Sequence, residues 1–404
     1  MYHYFGFSEG SEVYIRIEKA DVNKREILAD FVESNNFDAL NGFYERRFPI
    51  DGPSMLLFKD YRGRKLREGT IYKVRYSVLQ TLFNQERIGI VDDSFIIRAN
   101  VNLEGFEEEV FGKAISHKEL ERRDPAIYFF NQTGNADQNS LQLVRSGSMY
   151  VNVKDIGQGS WNEVVADKKV IIVFDTGTHY NTKAGTLIQL LNGADKVYED
   201  EKPALIISHW DVDHYHFLTA KSDQALSSFK FILCRDMTPS LMSRVMFTRL
   251  KRLNKNLIAV SADSRTTTLR ETPLFDIYNN GRFVIFNSGN SRNRNKNGIS
   301  MLIKNSTNSI LLPGDQHYGQ FHHFVLPVYL SYKHTHNIVV PHHGGHAGSY
   351  KYILHSKVRK GEAVVSVGCN SYGHPLLKVL KCLRNDRFKV FRTDILSKDI
   401  KVQL

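Results

Sequence analysis

From residue 149 to the C-terminus, short apolar runs recur, each closed by a polar or glycine-containing turn. Examples are "VIIVF" (170–174), "ALIIS", "FKFILC", "LIAVS", "RFVIFN", "SILLPGD", "NIVVPHH" and "AVVSVG". These runs are far shorter than the roughly 20 residues a membrane span needs, and they have the length and bounded character of buried strands. Helical stretches lie between them, at about 182–192, in "TPSLMSRVMFTRLKRL" and in "PLLKVLKCLRN". Many strands with a few intervening helices can bury their apolar faces as two sheets packed face to face and covered by helices. The expectation is an α+β sandwich over residues 141–404.

Residues 1–140 read as a smaller α+β module. Strand-like segments ("EVYIRIEKA", "GTIYKVRYSVL", "SFIIRANV") alternate with a helical reading of "NKREILADFVESN", and the polar "NQTGNADQNS" (131–140) reads as a linker. No catalytic constellation stands in this module, which leaves room for a protein partner. The opening residues show no signal-peptide pattern. Cys234, Cys369 and Cys382 are odd in number and scattered, so a disulfide framework is not expected and a reducing cytoplasm is the simplest setting.

Polar groups gather where the strands of the second half end. Asp175 follows "VIIVF", Asp315 follows "SILLPG", His342 and His343 follow "NIVVP", and His374 comes after "AVVSVG". The densest group is "ISHWDVDHYHF" (207–217), which places His209, Asp211, Asp213 and His214 in one loop after "ALII". Loops at one edge of a rigid sheet can assemble a site from distant positions. Two imidazoles and two carboxylates in one loop can begin two metal centres. A later Asp and His complete them, with Asp315 placed to bridge ions about 3.5–4 Å apart. His216, His317, His322, His323 and His346 lie near these segments and read as neighbours, not ligands. No histidine falls between His216 and His317, so the ligand supply is rich in carboxylate, which suits Mn²⁺ or Mg²⁺ better than an all-nitrogen zinc site.

Charge is distributed unevenly. The chain carries +11 overall, yet residues 1–150 hold 20 Lys and Arg against 23 Asp and Glu, and residues 151–404 hold 34 against 20. The second half therefore carries +14. Basic residues concentrate at Arg244, Arg249, Lys251 and Arg252, and again at Arg292, Arg294 and Lys296. An excess of this kind favours a polyanionic partner, nucleic acid first, because phosphate neutralisation dominates such binding.

Residues 149–404 resemble the metallo-β-lactamase fold, and within it the hydrolase domain of the ComEC-type DNA-uptake proteins. The pieces that carry the resemblance occur in order: "DIGQGS" (155–160), "FDTGT" (174–178), "SHWDVDH" (208–214), "NGIS" (297–300), "LLPGD" (311–315), "PHHGG" (341–345), "SVGCNSYGHP" (366–375) and "FRTD" (391–394). The resemblance implies an αββα sandwich and one or two divalent ions, Mn²⁺, Zn²⁺ or Mg²⁺. His209 and Asp211 would bind one ion and Asp213 and His214 the other, with Asp315 between them. His342, or His343 in its place, would join the second ion. Asp175 would orient a ligand histidine, and His374 would contact phosphate or supply a proton. Asp213, Asp315 and His374 are thus the residues expected to carry catalysis. Asp211 stands where the broader fold family has His, a feature the ComEC type shares, whereas the membrane channel of those proteins is absent.

Together these features lead to a metal-dependent hydrolase acting on phosphodiesters through metal-activated water. DNA is the leading substrate, and a role as a defence effector against invading DNA is compatible with it. Two alternatives stay open: a hydrolase of a small phosphodiester, cyclic nucleotide or ester, and a non-catalytic nucleic-acid-binding protein with a structural metal site.

Overall fold

The computed structural model describes residues 12–41, 52–116, 119–120, 143, 147–264, 271–291, 293–350, 358–368, 370 and 373–404. It divides into two compact units. The first comprises Met1–Asn131 with Tyr180–Gln189 and Met237–Arg249; the second comprises Gln132–His179, Leu190–Asp236 and Leu250–Leu404. The proposed linker at 131–140 lies outside the described residues. Among those described, no helix is long and apolar enough to cross a membrane.

The second unit is built on two seven-stranded sheets with the same internal plan. In the first sheet, Ile400–Gln403, Met149–Val153, Trp161–Ala166 and Lys169–Thr176 pair antiparallel in that spatial order. Parallel pairing then takes over through Ala204–Ile206, Ile232–Arg235 and Leu257–Val260. In the second sheet, Leu274–Asn279, Phe283–Ser288, Ile299–Lys304 and Asn308–Leu312 pair antiparallel. Thr335–Val339, Arg359–Val365 and Lys389–Arg392 then continue in parallel.

Strand alternation explains how the two sheets meet. Successive side chains of a strand point to opposite faces, and Ile172, Phe174, Ile206 and Leu233 of the first sheet share one core with Ile285, Met301, Ile310, Leu312 and Val339 of the second. The intervening Leu311 and Ile338 face the other way. There they pack with Tyr318, Phe321, Leu380 and Leu383 from the helices Tyr318–Phe324 and Leu377–Asn385. Each such side chain contributes roughly 1.5–3 kcal/mol by leaving water. The sheet-on-sheet arrangement with helices outside is the α+β architecture expected from the alternating runs.

The first unit is also a seven-stranded sheet, ordered Ile88–Ile90, Ile97–Asn102, Met55–Lys59, Glu26–Phe31, Glu12–Asp21, Ile71–Arg75 and Ala114–Ile115. Two local expectations are corrected here. "NKREILADFVESN" is not one helix: Glu26–Phe31 is a strand that pairs with Glu12–Asp21 on one side and Met55–Lys59 on the other, and the helix begins only at Ser34. The strand reading of "GTIYKVRYSVL" ends at Arg75, and Tyr76–Asn84 is a helix. In both places a short apolar run satisfies either period, and pairing with sequence-distant strands decides which is adopted.

A buried carboxyl gives this unit a pH signature. Asp30 is fully buried and accepts hydrogen bonds from Ser54 Oγ (2.8 Å) and the Met242 amide (2.8 Å). Burial, reinforced by nearby Glu18, raises its pKa to about 7 against the pull of those donors. In the unfolded chain the group ionises near 4, so between about pH 4 and 7 only the unfolded state has lost the proton. Stability therefore falls as pH rises through that window, by up to about 4 kcal/mol, and levels off above it. Asp30→Asn should remove this slope. Hydrogen-exchange protection of the Ala29 and Phe31 amides between pH 4.5 and 7.5 checks it; an equal slope in the variant would assign the effect elsewhere.

Candidate metal centre

Five segments of the second unit converge where antiparallel pairing gives way to parallel pairing in each sheet. From the first sheet, Asp175 stands at the end of Lys169–Thr176, and Ser208 to His214 follow Ala204–Ile206. From the second, Asp315 follows Asn308–Leu312, and the turn Pro341–Gly344 follows Thr335–Val339. Ser366, just beyond Arg359–Val365, adds a backbone carbonyl. Two glycines permit the approach. A Cβ on Gly177 would lie 1.7 Å from the Asp213 carbonyl oxygen, and Gly314 has φ +58 with its Cβ position 2.9 Å from Ser208 Cβ.

Asp175, fully buried, is the hub of this region. Its carboxylate accepts the Ser208 amide (2.7 Å), Ser208 Oγ (2.8 Å) and His214 Nδ1 (2.8 Å). Because a carboxylate only accepts, His214 must carry its proton on Nδ1 toward Asp175. Ser208 Oγ gives its own proton to Asp175, so it accepts from His209 Nδ1 at 3.0 Å. His343 Nδ1 faces the Ser366 carbonyl at 2.9 Å and likewise must donate. Three imidazoles thus have Nδ1 committed to an outer acceptor and Nε2 left as the lone-pair nitrogen, the arrangement that orients metal-ligating histidines.

Those three Nε2 atoms are buried, make no well-formed hydrogen bond among the described residues and face carboxylates. His214 Nε2 is 3.1 Å from Asp315 Oδ1, His209 Nε2 is 3.8 Å from Asp315 Oδ2 and 3.5 Å from Asp211 Oδ2, and His343 Nε2 is 3.5 Å from Asp213 Oδ2. Two three-donor groups result among the described residues: His209, His214 and Asp315, and Asp213, His214 and His343. Buried lone pairs converging from nitrogen and oxygen are costly unless a cation shares them, and this donor set fits a divalent metal ion.

Electrostatics point the same way. Burial alone would push the Asp315 carboxyl up, yet His342, His214 and His209 hold it well below the usual range. Burial pushes the His214 imidazolium down, and the Asp315 and Asp175 carboxylates overcome this, holding it well above its ordinary value. The proton attracted to His214 stands where a bound cation would otherwise balance the carboxylates.

The other expected residues fall around this centre. His342 Nε2 lies 3.7 Å from Asp315 Oδ2, with Asn295 Nδ2 3.4 Å from its ring, and the His374 ring sits edge-on to it at 5.2 Å between centroids. His343, the alternative to His342, has the fixed Nδ1 and the inward Nε2. Asp211 belongs to neither three-donor group; Arg294 Nη1 sits 3.1 Å from its Oδ2. His216 is fully buried on Val212–Ala220, and burial lowers its pKa to about 4. Burial likewise lowers His317 to about 4.

The expected nucleic-acid contacts are only partly open to solvent. Arg244 donates to the Val32 carbonyl (3.2 Å) and is half-buried, as is Arg249; Lys251 and Arg252 are exposed, Arg252 lying 3.4 Å from Asp223. Lys296 Nζ bonds Glu271 at 2.7 Å. Arg292 lies outside the described residues. What sequence reasoning missed is that Arg294 reaches the centre itself; its place in the run "SRNRNKN" gives no sign of this.

No protein-family model and no curated protein matches this chain. Among solved structures, it is similar to the metallo-beta-lactamase fold protein YhfI from Bacillus subtilis, at 12% identity and TM-score 0.38, covering 64% of this chain and 100% of that one. It is also similar to Tm1679, described as a metal-dependent hydrolase of the beta-lactamase superfamily, at 12% identity and TM-score 0.37, covering 63% and 99%. At this level of likeness, the chemistry of the site is derived from its own side chains.

Asp175 offers a direct test of the orienting network. Asp175→Ala removes the acceptor that fixes His214 Nδ1, so metal affinity should fall roughly 10–100-fold, the range found for such outer partners. Competition with a chromophoric chelator measures this. Unchanged affinity in a folded variant would mean that His214 needs no orienting partner.

Proposed function

We propose that this chain is a metal-dependent hydrolase of phosphodiesters, with DNA as the first substrate to test. The observation that carries the reading is the set of three buried imidazoles, His209, His214 and His343, each with Nδ1 engaged outward and Nε2 turned toward Asp211, Asp213 or Asp315. A divalent ion held there supplies an activated water at neutral pH and polarises a phosphoryl oxygen. Three imidazoles with carboxylates suit Zn²⁺ or Mn²⁺ better than Mg²⁺, which prefers oxygen ligands.

The protein's own groups would do the rest. Asp213 and Asp315 would supply the negative charge that holds the cation against the inner histidine nitrogens. His374, half-buried and edge-on to His342, would give a proton to a departing alkoxide. The +14 charge of residues 151–404 favours a polyanion approaching the centre. One observation favours the second reading, a small phosphodiester or ester: Arg294 and Lys296 are already paired with Asp211 and Glu271, which leaves fewer open cations for a long backbone.

The experiment is an activity matrix: the full chain with linear and circular DNA, RNA and bis(p-nitrophenyl) phosphate, each with Mn²⁺, Zn²⁺ and Mg²⁺. Hydrolysis of at least one phosphodiester with Mn²⁺ or Zn²⁺ is expected, falling to background in His343→Ala. Turnover that survives in folded His343→Ala and His214→Ala variants would remove the centre as the catalyst. Metal binding with DNA affinity but no cleavage under any ion would favour the non-catalytic alternative.

A further inference from the structure

The two three-donor groups share one residue. Both need His214, whose Nδ1 is committed to Asp175, so only Nε2 remains and it can serve one ion at a time. A second ion would keep just two donors from its group. Asp211, the residue expected to complete the first ion's ligands, is instead 97% buried against Arg294, whose Nη1 lies 3.2 Å from Oδ1 and 3.1 Å from Oδ2. The Arg294 side chain is 22% exposed, so its guanidinium touches the buried carboxylate and also reaches solvent. It is carried on the short turn Arg294–Lys296, beside Asn295, whose amide lies against His342.

From this geometry we infer that the centre holds a single divalent ion, and that Arg294 takes the place of a second one as a resident cation for an anionic substrate oxygen. The inference rests on the hydrolase reading and deepens it. A guanidinium cannot be deprotonated in this setting and presents a planar fork of donors, which suits a phosphodiester oxygen pair better than a spherical ion of variable occupancy. Arg294 would then act at the reacting phosphate and not as a remote surface cation.

The test is metal stoichiometry in the full-length protein, by elemental analysis after saturation with Mn²⁺ or Zn²⁺ and exhaustive dialysis, and by calorimetric titration. Wild type should retain about one ion per chain. Asp211→Asn should leave the affinity for that ion within about threefold, because Asp211 is in neither three-donor group, whereas His214→Ala, which removes the donor common to both, should lose at least about tenfold. Arg294→Gln, which frees the Asp211 carboxylate, should gain a second, weaker equivalent. Arg294→Lys should keep one ion and raise KM for bis(p-nitrophenyl) phosphate more than it lowers kcat. Two tight equivalents in wild type, or a large affinity loss in Asp211→Asn, would overturn the inference and leave the hydrolase reading standing. Wild type that binds no ion would overturn both. Should Arg294→Gln fail to fold, the wild-type stoichiometry and Asp211→Asn still decide.

Discussion

The carboxylate of Asp175 is the contact on which the rest of the centre depends. It stands at the end of a strand with φ +60, a left-handed conformation that costs a non-glycine residue free energy. In return it leaves the strand direction and accepts three donors from the neighbouring segment: the Ser208 amide and hydroxyl in the loop, and His214 Nδ1 in the first turn of the helix that follows. Through Ser208 Oγ it also reaches His209. One buried anion thus sets the protonated nitrogen of two imidazoles and ties the loop that carries His209 to the first turn of the helix Val212–Ala220 that carries His214. A fully buried carboxylate without such partners would be strongly disfavoured, so the hydrogen bonds that orient the histidines also stabilise the fold locally.

Topology explains why the ligands come from these loops. Each sheet of the second unit changes from antiparallel to parallel pairing after its fourth strand, between Lys169–Thr176 and Ala204–Ile206 in one and between Asn308–Leu312 and Thr335–Val339 in the other. An antiparallel neighbour can be reached by a tight turn, but a parallel one needs a crossover. The chain must therefore leave the sheet at the C-terminal end of the last antiparallel strand, and at that edge two adjacent parallel strands end together. Asp175 with the 208–214 segment, and Asp315 with the 341–344 turn, occupy equivalent positions in the two sheets. Face-to-face packing through Phe174, Ile206, Leu312 and Val339 then brings these edges together.

How much of this the sequence discloses depends on whether a feature is local. Short apolar runs ending in Asp or His reveal the strands and place Asp175, His209, Asp213, His214 and Asp315 at their ends. The sandwich follows from the number and length of those runs. Three features stay hidden because they arise from contacts between distant residues. The strand at Glu26–Phe31 looks helical until its partners on both sides are known. Arg294 looks like a surface cation until the fold seats it against Asp211, 83 residues earlier in the chain. Lys296 is similar, since Glu271, which pairs with it, lies 25 residues away. Composition reports such charges as a sum, whereas their partners decide what they do.

The choice between His342 and His343 shows the limit most clearly, because no spacing rule can separate adjacent identical residues. It is made by the backbone. His342 (φ 52, ψ 41) and His343 (φ 52, ψ 28) are both left-handed, and Gly344 follows at φ +76. Two non-glycine residues in that region cost on the order of 1–3 kcal/mol each, and such conformations persist only where surroundings over-determine them. Here the Ser366 carbonyl holds His343 Nδ1, and Gly344 closes the turn where a Cβ would meet Pro375 at 2.5 Å. The result is two imidazoles with different surroundings. His343 is buried with its Nε2 toward Asp213, while His342 looks past Asp315 Oδ2 to Asn295 and His374. A regular strand would also separate two neighbours, but by sending one to each face of the sheet. The tight left-handed turn keeps both on the edge where the centre lies, one among its buried donors and one on the side that His374 shares.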